Sequence, residues 1–149
     1  GNVLVLFNYV EKHGIPLYQN ISKETKKDCY LICGKTEIED REQIRKIVDK
    51  SNNSVLVASY GTCSTGINIK NIHAVVFASP SKSVIRVLQS IGRGLRKSET
   101  KDKVTVYDIG DDLSWKSYRN HALRHLDERT NIYTNESFQF DKIKINLGV

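Results

Sequence analysis

Three arginines and a glutamine have the types and spacing that chemistry on phosphate requires. In "SVIRVLQSIGRGLRK", residues 83–97, Arg86, Gln89, Arg93 and Arg96 are separated by 3, 4 and 3 positions. On a helix that spacing makes one row, opposite an apolar stripe of Val84, Val87, Leu88, Ile91 and Leu95. Like charges stacked along a helix face oppose the helix unless an anion lies nearby. Guanidinium forks match phosphate oxygens, and Gly92 and Gly94, which cost helix stability, fit a close backbone approach. Spacing alone leaves two readings open, a phosphate site and a solvated basic face.

A second stretch, "CYLICGKTEIED", ends a possible phosphate loop at Gly34-Lys35-Thr36. Such a loop needs glycine at both ends so that backbone N–H groups turn inward around the anion. The first glycine would fall at position 29, which is Cys29, and the intervening residues are bulky strand formers. The stretch is instead expected to be a strand ending at Cys33, a turn at Gly34, and a helix from about Glu37. Other chemistry is poorly supported. Cys29, Cys33 and Cys63 make an odd count without C-x-x-C, which argues against a disulfide framework or a zinc site and for reduced thiols. His121 and His125 lie four apart, but "HALRH" lacks the glutamate of a metalloprotease helix, so surface histidines on a basic helix are expected.

The elements that must position these residues show as short apolar runs: "VLVLF" (3–7), "YLIC" (30–33), "VLVAS" (55–59), "AVVFA" (74–78) and "VTVYDI" (104–109). Nearly continuous apolar runs suit strands buried on both faces of a parallel sheet. Helical spacing lies between them, with Ile44, Ile47 and Val48 on one face of 37–50 and the amphipathic 83–97 later. The alternation implies a doubly wound α/β domain. The end differs. Residues 114–129 are expected to form a basic helix with Trp115, Tyr118, Ala122 and Leu126 on one side. Trp115 is expected as a core anchor rather than a base-stacking platform. "SFQFDKIKINL" alternates like a strand whose phase slips at Asp141-Lys142, which suits either an edge strand or a tail that needs a missing neighbour.

The 149 residues suffice for one domain with a core. A net charge of +6 suits a polyanionic partner. No run approaches the ~18 apolar residues of a membrane span, and no signal peptide is visible. The chain has no methionine and opens in mid-strand, as expected of a piece of a longer protein.

Gln89-x-x-Gly92-Arg93-x-x-Arg96 resembles motif VI of superfamily 2 helicases, Q-x-x-G-R-x-x-R. Upstream, in the order that family requires, "VLVASYGTCSTGINI" is similar to motif V, and "NVLVLFNYVEKHG" to motif IV. "CGKTEIEDREQI" resembles the motif that follows motif IV, and "VYDIGDD" fits the strand after motif VI. The resemblance covers roughly residues 2–112, and motifs V and VI are most similar to the phage UvsW-type branch-migration helicases. Walker A, Walker B and S-A-T type motifs are absent. In the family they lie on the first RecA-like domain, so the chain is identified as the second RecA-like domain. Its expected organisation is a helicase C-terminal core over 1–112 with a mainly parallel sheet and helices on both faces, and a C-terminal helix and strand extension over 113–149 packed on it.

The resemblance implies roles. Arg93 and Arg96 are the expected catalytic arginine fingers. Gly66, Asn68, Gln89, Arg93 and Arg96 are the expected contacts to ATP, whose Mg2+ would be held by an N-terminal motor domain of the same protein. Asn68 stands where the family often has Asp, and Asn can also bond a ribose hydroxyl. Asn8, Gly34, Thr36, Arg41, Ser59, Tyr60 and Thr62 are the expected contacts to the backbone of single-stranded or branched DNA, or of an RNA–DNA hybrid. For Arg41, a solvent-facing ion pair with Glu37 is the competing reading. The implied activity is an ATP-dependent DNA or RNA–DNA helicase, cytoplasmic (host cytoplasm for a phage protein), with the isolated chain inactive because half of its composite site lies elsewhere. The alternative function is a non-catalytic nucleic-acid-binding module, which explains the charge but not the arginine row. A self-contained P-loop kinase or GTPase fails on Cys29 and on the missing Walker B.

Overall fold

A computed structural model describes residues 1–64, 69–79 and 103–148. Five strands form one all-parallel sheet: β1 (Val3–Phe7), β2 (Asp28–Ile32), β3 (Ser54–Ser59), β4 (Ala74–Phe77) and β5 (Thr105–Asp108), in spatial order β2-β3-β1-β4-β5. The register pairs Leu4 with Leu56 and with Val75, and Tyr30 with Leu56. This is the doubly wound α/β architecture expected from the apolar runs, with the RecA-like parallel sheet that the resemblance implies.

Alternation along each strand sends side chains to two faces, and the two faces bury two separate clusters. One joins Leu4, Leu6, Leu56, Ala58, Val75 and Phe77 to Val48 and Ile44 of α2 (Ile38–Lys50) and to Tyr60 and Cys63 of α3 (Tyr60–Ser64). The other joins Val5, Phe7, Val55 and Val57 to Leu17, Tyr18 and Ile21 of α1 (Ile15–Glu24). α1 therefore covers one face, and α2 and α3 the other. The chain leaves β1 toward one side of the sheet and leaves β2 and β3 toward the other. The connection reverses around the carboxyl ends of these three strands, which is where ligands bind in open α/β sheets.

A π-helical turn, Val10–Gly14, opens α1, with the Tyr9 carbonyl accepting from both His13 N and Gly14 N. It seats Gly14 on the buried Phe7 ring, where a Cβ at position 14 would come within 2.3 Å of the ring. At the amino end of the sheet, the fully buried Asn2 donates to the carbonyls of Val48, Ser51 and Asn71 and accepts from Ser54 N at 2.9 Å. That side chain ties the end of α2 to the start of β3.

Several expectations need correction. The second strand begins at Asp28 and ends at Ile32. Ile47 is exposed, so α2 buries Val48, with Ile44 partly buried beside it. β5 is a sheet edge with Val106 and Tyr107 exposed, not a strand buried on both faces. The last helix, α4, spans His121–Asn135 rather than 114–129. Trp115 lies outside it, bridged to Tyr118 in a tight turn and 74% exposed. It is not a core anchor, because Asn120, with its extended backbone, starts the helix five residues too late to carry it inward. "SFQFDKIKINL" forms no strand; Ile143, Ile145 and Leu147 are exposed, while Lys142 and Lys144 reach Asp127 and Asp112. α4 is held to the sheet by one buried pair. Arg129, 2% exposed, donates from Nε and Nη2 to both oxygens of Asp108, each at 2.7 Å, and the Tyr133 hydroxyl adds a bond of 2.8 Å. The expected helix over 83–97 lies outside the described residues. Among the described residues no helix is long and apolar enough to cross a membrane.

Candidate nucleic-acid interface

The parallel sheet brings the ends of β1, β2 and β3 to one edge, and with them every described residue predicted to touch nucleic acid. Asn8 follows β1 directly and is exposed. Its N–H donates to the buried Ser79 Oγ at 3.2 Å, and Ser79 Oγ also bonds His13 Nδ1 at 2.8 Å. Ser79 thereby joins the end of β4 to the loop after β1.

Gly34 and Thr36 form the turn after β2. The Thr36 hydroxyl accepts from Cys33 N at 3.0 Å, and Thr36 N returns a bond of 3.0 Å to the Cys33 carbonyl. The loop is closed on itself, so it makes no ring of inward N–H groups. Lys35 points away to Glu11 at 2.9 Å, and that hydrogen bond raises its pKa. Both findings remove the phosphate-loop reading of Gly34-Lys35-Thr36. Arg41 on α2 donates to the Thr36 carbonyl at 2.7 Å and to the Gly34 carbonyl at 3.0 Å. It braces the loop, and among the described residues it makes no ion pair with Glu37. Gly34 itself is exposed; a Cβ there would meet no heavy atom within 4 Å, and its backbone does not require glycine. Neither packing nor conformation requires a glycine at 34.

The residues after β3 turn inward. Ser59, Tyr60 and Thr62 are all buried. Ser59 Oγ and Thr62 Oγ1 lie 2.7 Å apart, and Thr62 N donates to Ser59 Oγ at 3.3 Å. The Tyr60 ring stacks on Phe77 with centroids 6.2 Å apart, and its hydroxyl donates to the Ser79 carbonyl at 2.9 Å. Burial, with the Asp108 carboxylate nearby, pushes the Tyr60 hydroxyl well above its ordinary pKa. Burial likewise pushes the Cys63 thiol up to about 12. These groups are neutral and hold the start of α3 in place.

Gly66, Asn68, Gln89, Arg93 and Arg96 lie outside the described residues. The described residues that precede them in the chain are Ser64, at the end of α3, and Ser79, just after β4. Sequence reasoning missed Ser79, His13 and Asn2, whose roles arise from bonds across 46 to 71 positions. It also missed the Asp108–Arg129–Tyr133 cluster, although an aspartate ending a strand and an arginine inside an amphipathic helix were visible. Among the described residues no group of three His, Cys, Asp or Glu side chains could hold a metal ion.

Comparison with known proteins agrees with the geometry. Residues 1–98 match the family described as the helicase conserved C-terminal domain. The chain is 35% identical over 156 aligned residues to the ATP-dependent DNA helicase uvsW of Enterobacteria phage T4, covering 98% of this chain and 31% of that protein. Its fold superposes on the crystal structure of T4 UvsW with a TM-score of 0.73 at 38% identity, over 92% of this chain and 29% of that one. The C-terminal domain of the DEAD-box protein Dbp5 matches with a TM-score of 0.64 over 91% of this chain and 71% of that one. At 15% identity this likeness concerns the fold alone. The chain thus spans about a third of the length of its T4 relative. It belongs to the helicase conserved C-terminal domain family, as a UvsW-like member.

Proposed function

We propose that this chain is the second motor domain of an ATP-dependent DNA or RNA–DNA helicase acting in the cytoplasm, and that it works with an N-terminal RecA-like domain of the same protein. The observation that carries this reading is the exposed Gly34 in the Arg41-braced loop, at the carboxyl ends of the strands of a helicase-family sheet. Asn8, Gly34 and Thr36 would meet the strand's sugar-phosphate backbone directly, with Arg41 supplying charge through the loop that it holds. The buried Ser59, Tyr60 and Thr62 would position the motif V loop rather than touch the strand. Backbone contacts carry no base code, which suits a motor moving along any sequence.

ATP fits the frame around the motif V and VI segments. The Tyr60–Ser79 bond ties the described residues before the two segments together. ATP would supply the phosphoanhydride, and its Mg2+ would be held by the N-terminal domain. Gly66 and Asn68 would hold the sugar and phosphates, and Gln89 would orient the nucleotide. Arg93 and Arg96 would place positive charge where a loose, highly charged phosphoryl transition state forms, an effect of ~10³–10⁵ in rate for arginine fingers. In the intact helicase, Arg96→Ala is expected to abolish most ATP turnover while leaving nucleotide affinity largely in place. Near-normal kcat in that variant removes the catalytic role. For the chain alone, anisotropy titrations of labelled single strands should give weak affinity that falls steeply with salt and ignores sequence. Salt-insensitive or sequence-selective binding overturns the backbone track.

A further inference from the structure

The hairpin after β5 presents two aromatic rings to solvent, and nothing in the motor reading uses them. Trp115 and Tyr118 face each other across a two-residue turn, each donating its N–H to the other's carbonyl, at 3.0 and 2.9 Å. Residues paired in this way project their side chains from the same face. Trp115 is 74% exposed and Tyr118 55% exposed. Rings of this size usually find a partner.

The hairpin is held rigidly. Asn120 closes its base, donating to the Asp111 carbonyl at 2.8 Å and accepting from Leu113 N at 3.2 Å. Lys116 at the turn has a left-handed backbone with φ 53. The guanidinium of Arg124 lies 5.8 Å from the Tyr118 ring centroid, a cation–π contact that leaves its charge beside the aromatic pair. The hairpin follows the carboxyl end of β5, the strand at the opposite side of the sheet from β2 and Gly34.

We infer that Trp115 and Tyr118 form a stacking platform for an unpaired nucleobase of a single strand whose phosphates are met by Lys116 and Arg124. The inference rests on the nucleic-acid reading above and deepens it. Flat, solvent-exposed rings with adjacent cations are what base stacking without sequence preference requires. A preformed hairpin loses little freedom when it binds. An apolar protein partner is the competing occupant, but the flanking Lys116 and Arg124 charges favour a polyanion.

Trp115 is the sole tryptophan of the chain, so its emission reports directly on the platform. Titrating the chain with an oligothymidylate should quench that emission saturably, whereas an abasic oligomer of equal length should bind without quenching. By anisotropy of labelled oligothymidylate, Trp115→Ala should bind about tenfold more weakly and Trp115→Phe close to wild type. Abasic binding should be the same in all three. Trp115 is exposed, so their melting temperatures should agree. Oligothymidylate binding with unchanged emission, or equal affinity of Trp115→Ala, overturns the platform and leaves the backbone track standing. Absence of any binding overturns both. Emission that changes with protein concentration without DNA, and self-association that Trp115→Ala abolishes, would assign the surface to a protein interface and overturn the platform.

Discussion

Replacing Arg129 by methionine tests whether residues 113–149 are built into the core. The guanidinium is 2% exposed and the paired Asp108 carboxylate 10% exposed, and they share two bonds of 2.7 Å. Burial opposes the arginine's charge, yet the hydrogen bonds and charge of Asp108 outweigh it and raise the pKa, so the guanidinium keeps its charge. Methionine fills similar space without charge and leaves Asp108 with the Tyr133 hydroxyl as its remaining side-chain donor among the described residues. Breaking one side of a buried pair costs about 3–5 kcal/mol. Part of that cost is returned, because Arg129 Nη1 is itself buried without a partner among the described residues and an unsatisfied donor carries roughly 1–3 kcal/mol. The expected net loss is about 2–3 kcal/mol. With ~2.1 cal/mol/K of unfolding entropy per residue, a chain of this length loses roughly 3 °C per kcal/mol. The melting temperature should therefore fall by about 6–9 °C, read by calorimetry at pH 7. Adding Asp108→Leu removes the orphaned charge and should restore most of the loss. A single variant within about 2 °C of wild type refutes the reasoning, as does a double variant no better than the single.

Three further outcomes follow from named contacts. Gly34→Ala should leave stability within about 0.5 kcal/mol, because the new Cβ meets no atom. It should nonetheless weaken single-strand binding several-fold by anisotropy; unchanged affinity removes Gly34 from the track. Asn2→Ala should lower stability by about 2–4 kcal/mol, since it strips partners from the carbonyls of Val48, Ser51 and Asn71 and from Ser54 N. In urea this should lower the midpoint with the slope unchanged. Stability should be flat to about pH 9 and then decline, because burial raises the folded pKa of Cys63 from about 9 to about 12 and raises those of Tyr60 and Tyr133 above 10. Each group favours its neutral form in the fold, so its contribution is present below the unfolded pKa and is lost as pH rises toward the folded one. In Cys63→Ala the decline should start about one unit later, near the ordinary tyrosine value; an unshifted onset excludes the thiol.

Five strands and α2 were legible because each is a local pattern. Near-continuous apolar runs mark strands, which are covered on both faces at β1 and β3 but only in part at the edges β2 and β5, and Val48 with Ile44 marks the one buried face of α2. The motif order that pointed to a helicase domain is likewise a one-dimensional property. The boundaries of 113–149 were not legible. Periodicity placed Trp115 on a helix, but whether a chain turns or coils at Trp115–Tyr118 depends on the Asn120 bonds to Asp111 and Leu113, which compete with helical bonding.

What the sequence determined by itself was the inventory: which segments could be buried, which bore charge, and which matched a phosphate-handling motor. Only the tertiary structure decided how those residues are used. It turned Ser59, Tyr60 and Thr62 inward, gave Arg41 to the carbonyls of its own loop, and left Gly34 open. It also made Ser79 the junction of three loops and buried Arg129 against Asp108. The physical reason is range. Hydrophobic periodicity acts between residues three or four apart, whereas a polar side chain's role is set by whichever donor or acceptor the folded sheet brings within about 3 Å. In this chain those partners lie as far as 71 positions away.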